Sequence, residues 1–408
     1  MAVSAQNFNA DFDPAAATKA YIDGLGPDAL EKAAAYTMGN HLLLGAGLVV
    51  SALVTLALVR FGILQKLDRK FGPRSFIGVF SISFVTLLLG TLLSLPWDLY
   101  TDWWRETHYG RTSQPLTDHL SQSALANGLG TVVGALFFVI LYFLIRQAGR
   151  FWWLWGGAVT AALISLLLLL SPTYIEPLFN DFEPIPDGPV REAVLAMAAE
   201  ANIPADRIFI YDGSRQSNNF TANVSGLGDA ARIAISDVAL GAASLDEVKA
   251  VTGHEVGHYV LGHVWRSVGV LSGLAMVMFF LADRTFGFFA GAFGARGTLA
   301  DPSTLPVLLF VIGIFGVLAE PVTNTLTRIG ETEADQYSLD TVGLPDALAT
   351  ALVKTAEYRN PRPARWQEIL FYTHPSVERR VRRAMEWKAA NLVTPSPDDE
   401  TRGTVNEN

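Results

Sequence analysis

Long stretches without charge alternate with polar segments along this chain. Six stretches contain no Asp, Glu, Lys or Arg, namely residues 42–59, 75–97, 119–145, 151–175, 267–282 and 302–319. A helix needs roughly 17–25 residues to cross a bilayer, and all but the short stretch 267–282 reach that length. The pattern therefore predicts six transmembrane helices.

The polar region between the fourth and fifth predicted spans has the pattern of a small α/β unit. Residues 189–203 (PVREAVLAMAAEANI) show helical periodicity, while 207–212 (RIFIYD) and 232–237 (RIAISD) alternate as strands do. The Gly-, Ser- and Asn-rich stretch between them indicates a loop or an irregular edge strand. Ser244 with Glu247 three positions later fits a capping box, so a helix is predicted to begin there.

These elements predict a predominantly α-helical integral membrane protein with about six transmembrane helices and a small α/β domain. We divide the chain into a polar N-terminal segment (1–40), a four-helix transmembrane region (41–171), an α/β region (172–266), two further transmembrane helices (267–325), C-terminal helices (326–393) and a tail with the composition of a disordered segment (394–408). Residues 98–120, between the second and third spans, mix charges with aromatic residues and should lie at an interface or fold over a site.

Composition supports the membrane assignment and excludes several kinds of chemistry. Half of the 408 residues are hydrophobic and only 17% are charged, which is rare for a water-soluble domain. The absence of cysteine excludes disulfides, a thiolate nucleophile and cysteine-bound zinc. The net charge of −9, without a basic stripe, argues against a nucleic-acid partner.

Residues 252–263 (TGHEVGHYVLGH) hold three of the seven histidines. On an unbroken helix His254 and His258 lie about 40° apart, so both imidazoles can reach one ion, and Glu255 is adjacent. His263 lies about 180° from His254 on the same helix, which indicates a structural or interfacial role. The H-E-x-x-H pattern alone also arises by chance, and it would then be a helix with two polar core histidines.

A third metal ligand is needed, and residues 328–340 (RIGETEADQYSLD) offer one. Glu331 and Asp335 share a helical face, whereas Glu333 points about 200° away from Glu331. Glu331 would complete a His₂Glu zinc site, and Asp335 would accept a hydrogen bond from a ligand histidine. The alternative is a solvated acidic segment at the start of a helix.

Taken together, HEVGHYVLGH and RIGETEADQYS resemble the type I CAAX prenyl endopeptidases, which are multispanning zinc proteases of the gluzincin group. Four more blocks follow in family order: residues 95–104 (LPWDLYTDWW), 174–188 (YIEPLFNDFEPIPDG), 232–240 (RIAISDVAL) and 373–380 (THPSVERR). The resemblance thus covers about residues 30 to 390. It implies that the α/β domain is a zinc-metalloprotease domain with one Zn²⁺ per chain, bound by His254, His258 and Glu331. Glu255 would be the general base.

The resemblance also implies roles for residues outside the two motifs. His374 would donate a hydrogen bond to the tetrahedral oxyanion, although a histidine that caps the following helix is the alternative. Arg380, with Arg379 adjacent, would pair with Asp335 or with a substrate carboxylate. Asn223 would lie on the edge strand that holds the substrate backbone as an added strand.

The function that we expect is hydrolysis of peptide bonds near the C-terminus of membrane-associated or lipidated substrates, such as removal of the aaX tripeptide after a prenylated cysteine. Peptide or protein substrates and the lipid bilayer are the expected partners, and the chain is expected to be a monomer. A general quality-control zinc protease for membrane proteins remains an alternative. A non-catalytic scaffold or transporter is a second alternative, disfavoured by the intact Glu255 and by predicted spans without Asp, Glu, Lys or Arg.

Two arguments disagree about the orientation in the membrane. Basic residues concentrate at 60–74 and 146–150, and the positive-inside rule places both loops in the cytoplasm. Six spans then put the catalytic region on the opposite side. The resemblance implies a catalytic site that faces the cytoplasm, and we follow it because it extends over most of the chain.

Overall fold

The computed structural model describes residues 12–226, 228–356 and 359–393. Within these ranges, six helices are long and apolar enough to cross a membrane, as the charge-free stretches predict. The helices that contain them are α2 (Pro27–Arg60), α4 (Phe76–Asp98), α6 (Leu116–Gln147), α7 (Trp152–Leu170), α11 (His263–Phe293) and α12 (Leu305–Val342). The other helices are α1 (Pro14–Asp23), α3 (Ile63–Phe71), α5 (Arg105–His108), α8 (Pro189–Glu200), α9 (Asp237–Ala242), α10 (Leu245–Val260), α13 (Pro345–Lys354), α14 (Arg365–Phe371) and α15 (Val377–Val393).

The long helices expose large apolar side chains where a soluble bundle would carry polar ones. Leu42, Phe143, Phe288 and Leu318 are each at least 60% exposed. Such side chains are stable on an outer surface when that surface faces lipid. The prediction of a predominantly helical membrane protein is therefore confirmed.

Helix α12 joins the membrane region to the C-terminal part of the chain without a break. Its 38 residues span about 57 Å. The hydrocarbon core of a bilayer is only about 30 Å thick, so a large part of α12 extends beyond it. The predicted division at residue 325 falls inside α12, and the division at residue 40 falls inside α2. The predicted disordered tail, 394–408, lies outside the described residues.

A four-stranded sheet lies in the α/β region. Its strands are β1 (Phe182–Pro184), β2 (Ile208–Tyr211), β3 (Ala222–Ser225) and β4 (Arg232–Ser236), in the order β1-β2-β4-β3. Strands β2 and β4 are parallel, and the other two pairings are antiparallel. Residues 222–225 of the Gly-, Ser- and Asn-rich stretch therefore form an edge strand, β3, and an edge strand was one of the two structures predicted for that stretch. Apolar residues of β2, β4, α8 and α10 form a common core beneath the sheet.

Candidate metal centre

Helix α10 begins where the sequence predicts. The Ser244 side chain accepts a hydrogen bond from the Glu247 backbone N–H, and the Glu247 carboxylate accepts one from the Ser244 backbone N–H at 2.6 Å. This reciprocal pair satisfies donors at the helix start that would otherwise lack partners. The cap fixes the first turn of the helix that carries His254 and His258.

Two glycines allow α10 to approach α12 closely. A Cβ at Gly257 would lie 3.1 Å from the Tyr337 Cβ and 3.2 Å from the Ala334 Cα, and a Cβ at Gly253 would lie 2.5 Å from a methyl group of Val342. A larger residue at either position would push the helices apart. The glycine inside the H-E-x-x-H motif therefore serves the packing that brings Glu331 to the two histidines.

Three metal-binding atoms converge at this contact. The Nε2 atoms of His254 and His258 are 3.1 Å apart, and they lie 3.4 and 3.3 Å from the two carboxylate oxygens of Glu331. His254 and Glu331 are buried, and His258 is partly exposed. Lone pairs of two imidazoles and a carboxylate facing one point are the donor set of a divalent-metal site with room for a further ligand. The three residues thus fit a metal.

Asp335 contacts the His254 ring on the nitrogen that does not face the other ligands, and Arg380 contacts Asp335. The Asp335 Oδ1 lies 2.9 Å from the His254 Nδ1, which leaves the His254 Nε2 for the metal. Arg380 donates two hydrogen bonds to the Asp335 carboxylate, at 2.6 and 2.7 Å. The neighbouring Arg379 instead pairs with Glu368 at 3.0 Å. The structure thus brings Arg380, and not Arg379, to the site.

His263 lies closer to the site than the helical spacing indicates. Helix α10 ends at Val260, Gly262 adopts a left-handed conformation with φ of 66°, and a new helix begins at His263. This break brings the His263 Nδ1 to 2.8 Å from the His258 Nδ1. The estimate of 180° assumed an unbroken helix, and Gly262 was the sequence feature that could have corrected it.

Glu333 completes a chain of contacts behind His258. The His263 Nε2 lies 2.9 Å from the Glu333 Oε2, and Arg266 donates to the same oxygen at 2.7 Å. When the His258 Nε2 binds a metal, its Nδ1 carries a proton, which it can donate to His263, and His263 can in turn donate to Glu333. His263 and Glu333 can therefore hold His258 in the tautomer that binds metal. The helical spacing indicated only that Glu333 points away from Glu331.

A cavity of about 280 Å³ opens beside the donor set. Glu255, His374 and Arg111 are on its wall, together with the segment that leads into β3. Arg111 belongs to the aromatic segment 98–120, so one residue of this segment borders the cavity, while its folding over a site stays a prediction. Burial raises the pKa of Glu255, which favours proton acceptance near neutral pH.

His374 points into the site from the loop before α15. Its Nε2 lies 3.3 Å from the Glu331 Oε1, and its Nδ1 lies 2.9 Å from the Thr373 hydroxyl oxygen. Burial lowers the pKa of His374 to about 3, so the imidazole is neutral at neutral pH. When the Thr373 hydroxyl donates to Nδ1, the single ring proton is on Nε2 and faces the site.

The structure does not bring Asn223 into the cavity wall. Asn223 lies within β3 opposite Ala234, whereas Asn219, Thr221 and Ala222 line the cavity. Among the described residues, the Oδ1 atoms of Asn219 and Asn223 are both buried without a hydrogen-bond partner, so only the cavity lining distinguishes these two residues. Two asparagines four positions apart could not be distinguished in sequence without knowing where β3 begins.

Comparison with known proteins gives matches along nearly the whole chain. Residues 184–388 match the model of peptidase family M48, and residues 14–181 match the model described as CAAX prenyl protease N-terminal, five membrane helices. The chain is 26% identical to the uncharacterized metalloprotease YhfN of Bacillus subtilis, with 88% of this chain and 86% of that protein covered. It is 28% identical to CAAX prenyl protease 1 of Saccharomyces cerevisiae, with 74% and 71% covered.

The fold is also similar to a solved structure. The crystal structure of S. mikatae Ste24p matches with a TM-score of 0.70 and 20% sequence identity, over 91% of this chain and 94% of that chain. At this level of identity the match concerns the fold. It agrees with six membrane helices joined to a small sheet and to the helices that carry the donor set.

Proposed function

The chain belongs to peptidase family M48 and is a membrane metalloprotease of the Ste24 type; from this premise we propose the identity of its metal, the roles of its residues and the class of its substrates. The metal that we propose is one Zn²⁺ per chain, bound by His254, His258 and Glu331. The observation that carries this proposal is the convergence of two imidazole Nε2 atoms and a carboxylate beside the half-buried Glu255. A His₂Glu set with a free position is a known arrangement of catalytic zinc.

When bound, zinc supplies Lewis-acid polarisation of the scissile carbonyl and acidifies water. Glu255 accepts a proton from the attacking water, and its raised pKa matches that task. The Asp335 Oδ1, held by Arg380, lies 2.9 Å from the His254 Nδ1, and Asp335 orients that ring when this nitrogen carries the proton.

His374 stabilises the negative charge that develops on the carbonyl oxygen. As a neutral imidazole with Nε2–H facing the site, it can donate one hydrogen bond to that oxygen without first losing or gaining a proton. The substrate backbone pairs with the free edge of β3 as an added strand, where the main-chain groups of that edge can bind an extended peptide. We keep Asn223 as a substrate-binding residue of that strand and add Asn219, which lines the cavity.

The substrates are peptides or proteins, and we propose that they are membrane-associated chains with a lipidated C-terminal region. Support comes from similarity to CAAX prenyl proteases and from a site at the end of the membrane-spanning α12. All the proposed site residues belong to one chain, which favours a monomer.

The test is a matched pair of peptides with and without farnesyl on one cysteine near the C-terminus. Each buried methylene contributes about 0.8 kcal/mol, so a farnesyl group adds several kcal/mol to binding. Purified protein should cut the farnesylated peptide on the C-terminal side of that cysteine, cut the bare peptide poorly, and lose activity in EDTA. Equal rates on both peptides, or activity on unfolded casein alone, would favour the quality-control protease.

We propose that the catalytic side faces the cytoplasm, as the resemblance to the CAAX prenyl endopeptidases implies, because that resemblance extends over most of the chain. The basic loops at the other end of the bundle favour the opposite orientation. The chain has no cysteine, so single-cysteine variants give unambiguous labelling. In intact cells, a membrane-impermeant maleimide should label Lys70→Cys and not Asp187→Cys. The reverse result would invert the proposed orientation.

A further inference from the structure

The cavity beside the donor set is lined by three arginines, Arg111, Arg359 and Arg380. The Asp335 carboxylate accepts two hydrogen bonds from Arg380 and balances its positive charge. Arg111 contacts Glu106 through its Nε at 2.9 Å and lies over the Tyr36 ring. Both side chains therefore have partners in the folded protein.

Arg359 differs from the other two. In the part of the chain that the structure describes, no acidic side chain forms an ion pair with it, although the negative charge of Glu331 acts on it through space. Its side chain is exposed and lines the cavity, where the positive charges of Arg380 and Arg111 repel it. As an arginine it stays protonated. A cationic group facing a cavity without a counter-ion is suited to bind an anionic part of a ligand.

The opposite side of the site has a different character. A second cavity of about 750 Å³ borders His258, and its apolar wall comes from Leu168 near the end of α7 and from Val264 and Trp265 at the start of α11. Val224 of β3 also lines this second cavity, whereas Ala222 lines the first. Edge strand β3 thus runs from the cationic cavity to the apolar one.

A peptide with a lipid on one side of its scissile bond and a free C-terminus on the other matches these two cavities, because one part of it is apolar and the other carries a negative charge. On the premise of the proposed function, its lipidated part would occupy the second cavity and its last residues the first. We propose that Arg359 binds the C-terminal carboxylate of the substrate. The protein would then select its cleavage site by distance from a free C-terminus.

Binding to an inactive protein tests this assignment directly. Zinc-loaded, full-length Glu255→Gln protein is titrated with one fluorescent farnesylated peptide, ending either in a free acid or in an amide. A hydrogen-bonded charge pair contributes enough for roughly 10- to 150-fold tighter binding of the acid. Adding Arg359→Gln should weaken binding of the free-acid peptide and leave binding of the amide unchanged, so that the two affinities become equal. Arg359→Lys should retain part of the preference for the acid.

Arg362 provides the matched control. It is three positions away and is held by Asp23 and Glu378, outside the cavity. Arg362→Gln should leave the preference for the acid unchanged. The inference is overturned if Glu255→Gln protein with an intact Arg359 binds the acid and the amide equally well. It is also overturned if the preference for the acid persists when Arg359→Gln is added.

Cleavage of the same peptides by the active protein separates this inference from the proposed function. Equal cleavage and equal binding of the acid and the amide would contradict the role of Arg359, while the proposal of a farnesyl-dependent protease would stand. A preference for the acid that does not depend on farnesyl would support Arg359 and contradict the lipid part of the proposed function.

Discussion

A methyl group added at Gly257 would enter the contact that positions Glu331 against the two histidines. The new Cβ in Gly257→Ala would lie 3.1 Å from the Tyr337 Cβ and 3.2 Å from the Ala334 Cα. The Ala334 Cα is backbone, so α12 must move away from α10 by a few tenths of an ångström. Glu331 is three residues from Ala334 on the same helix and would move with it.

The expected cost follows from two opposing effects. Alanine stabilises a helix by about 1 kcal/mol relative to glycine. Overpacking costs about 1–3 kcal/mol, so the net change is neutral to destabilising. Metal sites tolerate ligand shifts of about 0.2 Å, which the displacement exceeds. We therefore expect zinc affinity to fall by roughly 10- to 100-fold, as when groups that orient a ligand are lost.

The assay is zinc affinity by chelator competition, together with thermal unfolding of the zinc-free protein. Gly269→Ala in α11 is the control, because a Cβ there meets nothing within 4 Å. This control should bind zinc like the unchanged protein and be equally or more stable. If Gly257→Ala behaved like Gly269→Ala in both measurements, the close contact between α10 and α12 would not position Glu331.

Two further predictions concern individual side chains. Glu331→Ala should abolish stoichiometric zinc binding, whereas Glu333→Ala acts through His263 and should lower zinc affinity by no more than roughly 10- to 100-fold. The measurement is zinc content after dialysis, and the reverse order of the two variants would make Glu333 the third ligand. His374→Asn should lower kcat by roughly 10²- to 10³-fold, equally across about pH 5 to 8, because the pKa of about 3 keeps His374 neutral there. An acid limb near pH 6.5 that disappears in this variant would contradict a neutral donor.

The sequence was sufficient for features that depend on local pattern. Charge-free stretches predicted the six long helices, because a span must exclude charge over its whole length. The pair Ser244 and Glu247 predicted the start of α10, because a capping box is satisfied within four residues. Helical spacing also placed His254 and His258 on one face, since both lie before the break at Gly262.

Features that depend on tertiary contacts were not accessible in the same way. Gly262 is a local signal for the helix break that sets the position of His263, but the contact between His263 and Glu333 depends on the packing of α11 against α12. Arg359 follows α13 in a segment without a motif, so only the folded chain reveals that it faces the cavity. The register of β3, which decides between Asn219 and Asn223, is likewise set by pairing with β4.

Peptide hydrolysis by Glu255→Gln, with zinc content measured on the same sample, tests the central claim most directly. The substitution keeps the size of the side chain and removes only its ability to accept a proton. The variant should retain one zinc per chain and lose roughly 10²- to 10⁴-fold in kcat, while His254→Ala should lose both zinc and activity. Zinc-loaded Glu255→Gln protein that turned over within about tenfold of the unchanged protein would contradict the proposed mechanism.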